Sequence, residues 1–211
     1  MRRWVTPALM LITDRSLLGA CSLEEVCSQA VDGGVTAVQL REKDLSGCDV
    51  YEMAMTLRAV LQGRALVLIN DRADVAAASG SDGVHLPGRC LPVHAVRRLV
   101  GDGCIVGRSV HSVEAAVQAE REGADYVQIG AVYATESHPA ATPGGVDLVR
   151  AVADAVTVPL IAVGGIDASR VHDVIDAGAD GIAVIRAILT AEDPAVAANR
   201  LAGALREAYA A

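Results

Sequence analysis

The chain has 211 residues, 52% of them hydrophobic and only 2% aromatic with no Phe, so its core must be built mainly from Val, Ile, Leu and Ala. A single composition runs throughout, which predicts one domain over residues 1–211. A formal charge of −8 argues against a nucleic-acid partner, because phosphate backbones need concentrated Lys and Arg, yet it leaves room for a local basic pocket.

The chain opens on Met1-Arg-Arg-Trp4, which resembles the basic end of a signal peptide, but Pro7 and Asp14-Arg15 confine the following apolar run to Ala8–Thr13. No stretch approaches the ~20 apolar residues that span a membrane, so a cytoplasmic location without a membrane partner is expected. Ala8–Thr13 reads as a buried strand. Ser22 is placed to cap a helix over 23–31, with Glu25 as the reciprocal capping partner, and Gly33-Gly34 ends it. Val35–Leu40 is the second strand and runs into Arg41-Glu-Lys-Asp44. Val50, Met53, Ala54, Leu57 and Leu61 mark one helical face. Ala65–Ile69 is the third strand, ending at Asn70-Asp71, and a short helix over about 72–78 follows. Gly83–Leu86 is the fourth strand, and Pro92 opens a helix through Leu99. Cys104–Gly107 is the fifth strand, with Arg108-Ser-Val-His111 at its end, and Ser112 caps a helix to about Glu122. Ala124–Ile129 is the sixth strand. The loop 135–145 separates it from a helix over 146–156. Pro159–Val163 is the seventh strand, followed by Gly164-Gly165 and a helix starting near Asp167. Gly181–Ile185 is the eighth strand, and Pro194 begins a terminal helix to about Ala208.

Most of these strands are continuous apolar runs, the pattern of strands buried on both faces in a parallel sheet. Gly80-Ser-Asp-Gly-Val84, Gly123-Ala-Asp-Tyr-Val127 and Gly178-Ala-Asp-Gly-Ile182 repeat one junction between helix end and strand, where Gly tolerates the left-handed helix end. Eight such units predict an α/β fold of the (β/α)8 TIM-barrel type. An open doubly wound sheet is the alternative, but the Gly-x-Gly-x-x-Gly that would favour it is absent.

A barrel gathers its chemistry at the C-terminal ends of its strands. Polar residues stand there at nearly every turn: Asp14, Arg15, Gln39, Arg41, Lys43, Asn70, Asp71, His85, Ser109, His111, Thr135, Ser137, His138 and Arg186. Arg41 and Lys43 suit an anion, one as a bidentate fork and one as a point charge; they equally suit ion pairs with Glu42 or Asp44. Asn70-Asp71 suits a polar substrate or Mg²⁺, or a helix cap. His111 suits proton transfer near neutral pH, or capping and packing. His85 points into the barrel or packs against it, while His94 and His172 fall in helical patterns at the surface. Gly164-Gly165, together with the helix start after Arg186, suits one phosphate. The five cysteines form no CxxC pair and give no zinc or disulfide signal, and Gly-x-Ser-x-Gly and His-Glu-x-x-His are absent.

The ordered set Ile12-Thr-Asp14, Gln39-Leu-Arg-Glu-Lys43, Asn70-Asp-Arg72, Asp82-Gly-Val-His85, Gly123-Ala-Asp125, Val163-Gly-Gly-Ile166 and Gly178-Ala-Asp-Gly181 resembles the thiamine-phosphate synthase and thiazole tautomerase superfamily across nearly the whole chain. The resemblance implies a (β/α)8 barrel in thiamine biosynthesis. In its synthase branch, a pyrimidine diphosphate and a thiazole phosphate are joined with Mg²⁺. Gln39, Arg41, Lys43 and Asn70 would then hold phosphates and Asp71 the metal. That branch expects a second Asp where this chain has Cys90, and a Lys where it has His138. In the tautomerase branch, resembled by Gly107-Arg-Ser-Val-His-Ser112, His111 would shuttle a proton within a carboxythiazole phosphate, without metal. The expectation drawn here is a metal-independent thiazole tautomerase. His111, Arg41 and Lys43 would be catalytic, and Gln39, Asn70, Ser109, Thr135, His138, Gly164, Gly165 and Arg186 would hold a small phosphorylated thiazole. The alternatives are the synthase with Mg²⁺ at Asp71 and a non-catalytic phosphate-binding or regulatory protein. A homodimer is the default assembly for a small enzyme, and nothing in the sequence selects it.

Overall fold

Eight apolar runs become eight parallel strands, and the first pairs with the last to close the sheet into a barrel. The structure is a computed structural model that describes residues 4, 6–19, 21–137, 139 and 142–210. The strands are β1 (Ala8–Ile12), β2 (Ala37–Leu40), β3 (Leu66–Asn70), β4 (Gly83–Leu86), β5 (Ile105–Val110), β6 (Tyr126–Ile129), β7 (Leu160–Val163) and β8 (Gly181–Val184). Between and after them run the helices α1 (Leu23–Asp32), α2 (Gly47–Leu61), α3 (Ala73–Ser79), α4 (Val93–Val100), α5 (Val113–Arg121), α6 (Gly145–Ala153), α7 (Val171–Asp176), α8 (Arg186–Leu189) and α9 (Pro194–Ala210). The protein is a (β/α)8 TIM barrel.

Strand side chains alternate between two environments. Leu9, Leu11, Val38, Leu40, Val67, Ile69, Val127 and Ile182 face outward against the helices in one apolar cluster. Ala8, Met10, Ile12, Ala37, Leu66, Leu68, Ile105, Tyr126, Ile161 and Ala183 face inward and fill the barrel. Both faces of each strand are therefore dry, which is why the runs are continuously apolar. The inward positions turn polar toward the C-terminal ends, at Gln39, Asn70, His85, Ser109 and Gln128; their register places Asn70 beside His85 and Ser109 beside Gln128.

The repeated Gly-x-Asp junction has a second function besides helix termination. Gly80, Gly123 and Gly178 have φ of 60°, 93° and 98°, the left-handed helix end that glycine permits. The Asp two residues later reaches the start of the preceding strand: Asp82 accepts from Val67 N at 2.8 Å, Asp125 from Val106 N at 2.7 Å and Asp180 from Leu160 N at 2.8 Å. Each carboxylate satisfies an amide that the short ladder leaves unpaired at the bottom of the barrel.

Three local expectations change. β5 continues to Val110 instead of ending at Gly107, because residues 108–110 pair in register with 127–129 of β6. Arg108 and Ser109 are thus strand residues on opposite faces. The reciprocal capping box forms at the start of α2, between Ser46 and Asp49, while at α1 Ser22 accepts from Glu25 N at 3.2 Å. Neither Asn70 nor Asp71 caps α3, whose first turn has no side-chain cap. No helix among the described residues is long and apolar enough to cross a membrane.

Candidate functional site

The polar strand ends line one cavity of about 810 Å³. Gln39, Arg41, Lys43, Asn70, Asp71, Ser109, His111, Thr135, Gly164, Gly165 and Arg186 all border it, so the structure brings together these sequence-predicted residues. His138 lies outside the described residues.

The β2 side supplies positive charge. Arg41 continues the inward parity of Gln39 and is half-buried; burial pushes its guanidinium down from the ordinary value. Lys43 is also lowered, by burial and then by Arg41. Glu42 and Asp44, the carboxylates beside these cations in sequence, are both engaged by Arg15, at 3.3 Å and 2.5 Å. Glu42, only 8% exposed, also accepts from Thr13 Oγ1 at 2.6 Å, and Thr13 Oγ1 accepts from Arg41 N at 2.9 Å. This chain of bonds from β1 to the segment after β2 fixes the backbone that carries Arg41. Sequence reading missed Glu42 as an organiser, although its place between two cations was the available signal.

Gln39 is 2% exposed, and its Nε2 donates to Asn70 Oδ1 at 3.0 Å. Its Oε1 is buried without a partner among the described residues, an acceptor left for a ligand. Asp71 sits at φ +65° with its amide donating to His85 O at 2.8 Å. Gln128 also borders the cavity and escaped the sequence reading; a lone Gln in the apolar run 126–129 was its signal.

On the β7–β8 side, Gly164 and Gly165 have φ of +105° and +64°. A Cβ on Gly164 would lie 2.8 Å from Ala131 Cα, and one on Gly165 2.5 Å from Ala134 O. The turn therefore presses against the chain after β6, where Tyr133 N donates to Gly164 O at 3.0 Å. Ile185, Arg186 and Ala187 border the cavity at the start of α8. Arg186 is the first helical residue and bonds Glu136 at 3.1 Å on the rim.

His85 faces into the barrel: its ring nitrogens meet Tyr126 Oη and Ser109 Oγ, each at 2.7 Å. His94 and His172 are exposed, as their helical patterns imply. His111 holds Gly130 O through Nδ1 at the cavity edge. Cys90 does not border the cavity. Its Sγ donates to Leu91 O at 3.0 Å and touches Arg108, and burial pushes the thiol up from its ordinary value.

The family described as thiamine monophosphate synthase matches residues 9–188. A thiamine-phosphate synthase of Haloquadratum walsbyi is 44% identical over 199 residues, covering 92% of this chain and 89% of the relative. One from Haloarcula marismortui is 42% identical, covering 93% of this chain and 96% of the relative. The solved thiamine phosphate pyrophosphorylase of Pyrococcus furiosus superposes with a TM-score of 0.87 at 36% identity, over 95% of this chain and 96% of that one.

These findings overturn the thiazole tautomerase expectation and the isomerase activity attached to it. That expectation rested on residues 107–112, whose side chains are explained by packing and cavity geometry. Arg108 points out of the barrel and donates to Gly88 O at 2.9 Å, and Ser109 belongs to the inner polar chain. Likeness over some 199 residues outweighs a match over one strand end. At the departure from the synthase pattern, the Cys90 side chain serves the loop between β4 and α4. The chain belongs to the thiamine monophosphate synthase family.

Proposed function

We propose that the protein is a thiamine-phosphate synthase, which joins a pyrimidine diphosphate to a thiazole phosphate and releases diphosphate. The observation that carries this reading is one cavity with two anion grips on different walls. Arg41 and Lys43, with Asn70 and Asp71, stand on the β2–β3 side, and Gly164-Gly165 with the start of α8 stands on the β7–β8 side. In a closed ring of eight strands, β3 and β7 are four apart and face each other. Two phosphorylated substrates require two grips, whereas an isomerase acting on one phosphate requires one.

Asp71 fits the Mg²⁺ that this family implies. Its carboxylate borders the cavity and accepts no hydrogen bond from another described residue. Among the described residues no three His, Cys, Asp or Glu side chains converge, so substrate oxygens and water would complete the shell, as is usual for Mg²⁺. Asp71, assisted by Asn70, would hold the ion, and the ion would supply positive charge to the diphosphate oxygens.

The chain's own residues do the rest. Arg41 and Lys43 bind diphosphate oxygens and stabilise the charge that grows there as the C–O bond breaks and its electron pair leaves with diphosphate. The glycine turn and the amides of 185–187 seat the thiazole phosphate, so that the ring nitrogen is held against the pyrimidine methylene carbon to which it bonds. Gln39 Oε1 offers an acceptor to a ligand N–H.

The test is a direct assay of purified protein with pyrimidine diphosphate, thiazole phosphate and Mg²⁺. Thiamine phosphate and diphosphate are expected in equal amounts, with EDTA abolishing both and Asp71→Asn raising the Mg²⁺ concentration required. Absence of condensation with Mg²⁺ present would overturn the reading.

A further inference from the structure

Beneath the cavity floor lies a buried chain of three hydrogen-bonding side chains. Tyr126 opens β6 at the bottom of the barrel and is 0% exposed. The Trp4 ring stacks on it, with centroids 4.3 Å apart and planes 20° apart. Its ring passes Gly107, where any Cβ would overlap it, and its hydroxyl reaches His85 Nδ1 at 2.7 Å. His85 Nε2 then meets Ser109 Oγ at 2.7 Å, and Ser109 borders the cavity.

Proton counting gives this chain a direction. The Tyr126 phenol has one proton, and among the described residues its one hydrogen-bond partner is His85 Nδ1. If Nδ1–H were the donor instead, the phenolic proton would be stranded in a dry core, which costs more than an ordinary hydrogen bond returns. The phenol therefore donates and Nδ1 accepts. His85 is 1% exposed and its two ring nitrogens meet two neutral hydroxyls and no carboxylate, so the buried ring is neutral. A neutral imidazole has one N–H, so it lies on Nε2 and points at Ser109 Oγ. The serine oxygen is thus already accepting, and its own proton is not used within the chain.

We infer that Tyr126 and His85 are positioning residues that fix the polarity of Ser109, so that its hydroxyl donates a hydrogen bond to an acceptor atom of the bound substrate. The reverse polarity would make Ser109 a donor to His85 and leave only its lone pair for the ligand. The substrate side of this inference rests on the synthase reading; the imidazole tautomer does not.

The experiment is ¹⁵N NMR of the histidine rings in the full-length protein, with the His85 signals identified by their loss in His85→Gln. An unprotonated Nδ1 and a protonated Nε2, unchanged across neutral pH, are expected. Tyr126→Phe removes the donor to Nδ1; it should shift the ring toward the other tautomer and lower kcat/KM about tenfold, the weight of one neutral hydrogen bond. Ser109→Ala should lower kcat/KM by a similar factor, and Ser109→Thr, which retains an O–H, should restore most of it. A merely structural role for Tyr126 would leave the tautomer unchanged. A protonated Nδ1 in the unmodified protein, or an unaltered tautomer and kcat/KM in Tyr126→Phe, would overturn the inference. If Tyr126→Phe does not fold, the tautomer of the unmodified protein still decides. If that protein makes no thiamine phosphate, the synthase reading fails while the ring nitrogens still report the polarity.

Discussion

Arg41 is half-buried and Lys43 stands exposed at the cavity wall, and each is disfavoured in its charged form by desolvation and, for Lys43, also by its neighbour. On the proposed synthase function, an arriving diphosphate would relieve both costs. Arg41→Ala should therefore weaken substrate affinity by roughly 1.5–3 kcal/mol, about 10- to 100-fold in KM for the diphosphate. Because Lys43 is lowered, diphosphate affinity should decline with rising pH at values below those of an ordinary lysine, and this decline should vanish in Lys43→Met. His85 gives a stability prediction of the opposite sign. Its folded pKa of about 3 lies below the ordinary 6.5, so between these values the unfolded chain binds the proton and the folded one does not. Its contribution is full above 6.5 and is lost as pH falls toward 3, by about 1.4 kcal/mol per pH unit. Denaturant titrations in this window should show a shallower pH dependence, by about one proton, in His85→Gln than in the unmodified protein.

The most constrained element is the turn after β7. Gly164 and Gly165 bend it through left-handed conformations while packing against residues 131–134, so the turn is wedged between strand and neighbouring loop. Gly165→Ala adds a left-handed cost of about 1–2 kcal/mol for an L-residue, beyond the overlap with Ala134 O. We expect a lower Tm and a raised KM for the thiazole phosphate with little change for the diphosphate, measured by thermal unfolding and by varying each substrate separately. The paired glycines were legible as a tight turn because a tight turn is a local property. The length of β5 was not, because Arg108 and Ser109 look like loop residues until β6 is placed beside them.

The barrel closes where β1 meets β8, and α9 packs on α1 and α7 across that seam. Ala198, Leu201, Ala202, Leu205 and Ala208 form its buried face. Asp180 ties the seam further: one carboxylate oxygen accepts from Leu160 N and the other from Tyr209 Oη of α9 at 3.1 Å. Leu205→Ala should cost about 2–5 kcal/mol in denaturant unfolding through the cavity it leaves. Asp180→Ala should cost about 1–3 kcal/mol by orphaning the Leu160 amide. Both should affect stability more than turnover, since neither side chain borders the site.

The sequence by itself determined the eight-unit barrel, the strand ends that line the cavity and the tight glycine turn, because burial on both faces, helix caps and glycine turns are written in short stretches of chain. It also placed Gln39, Arg41, Lys43, Asn70, Asp71 and Ser109 in one set, since a barrel gathers its strand ends. Only the tertiary structure decided which way each side chain points and whom it meets. It put Cys90 behind the wall and gave Glu42 to Thr13 and Arg15. It also linked Tyr126, His85 and Ser109 across three strands. The choice between isomerase and synthase turned on a residue-by-residue departure that looked chemical. Whole-chain likeness overturned the isomerase expectation; of the two departures, Cys90 does not border the cavity and His138 lies outside the described residues. The physical reason is the same throughout: local conformation depends on neighbours in sequence, while hydrogen-bond partners, burial and protonation depend on neighbours in space.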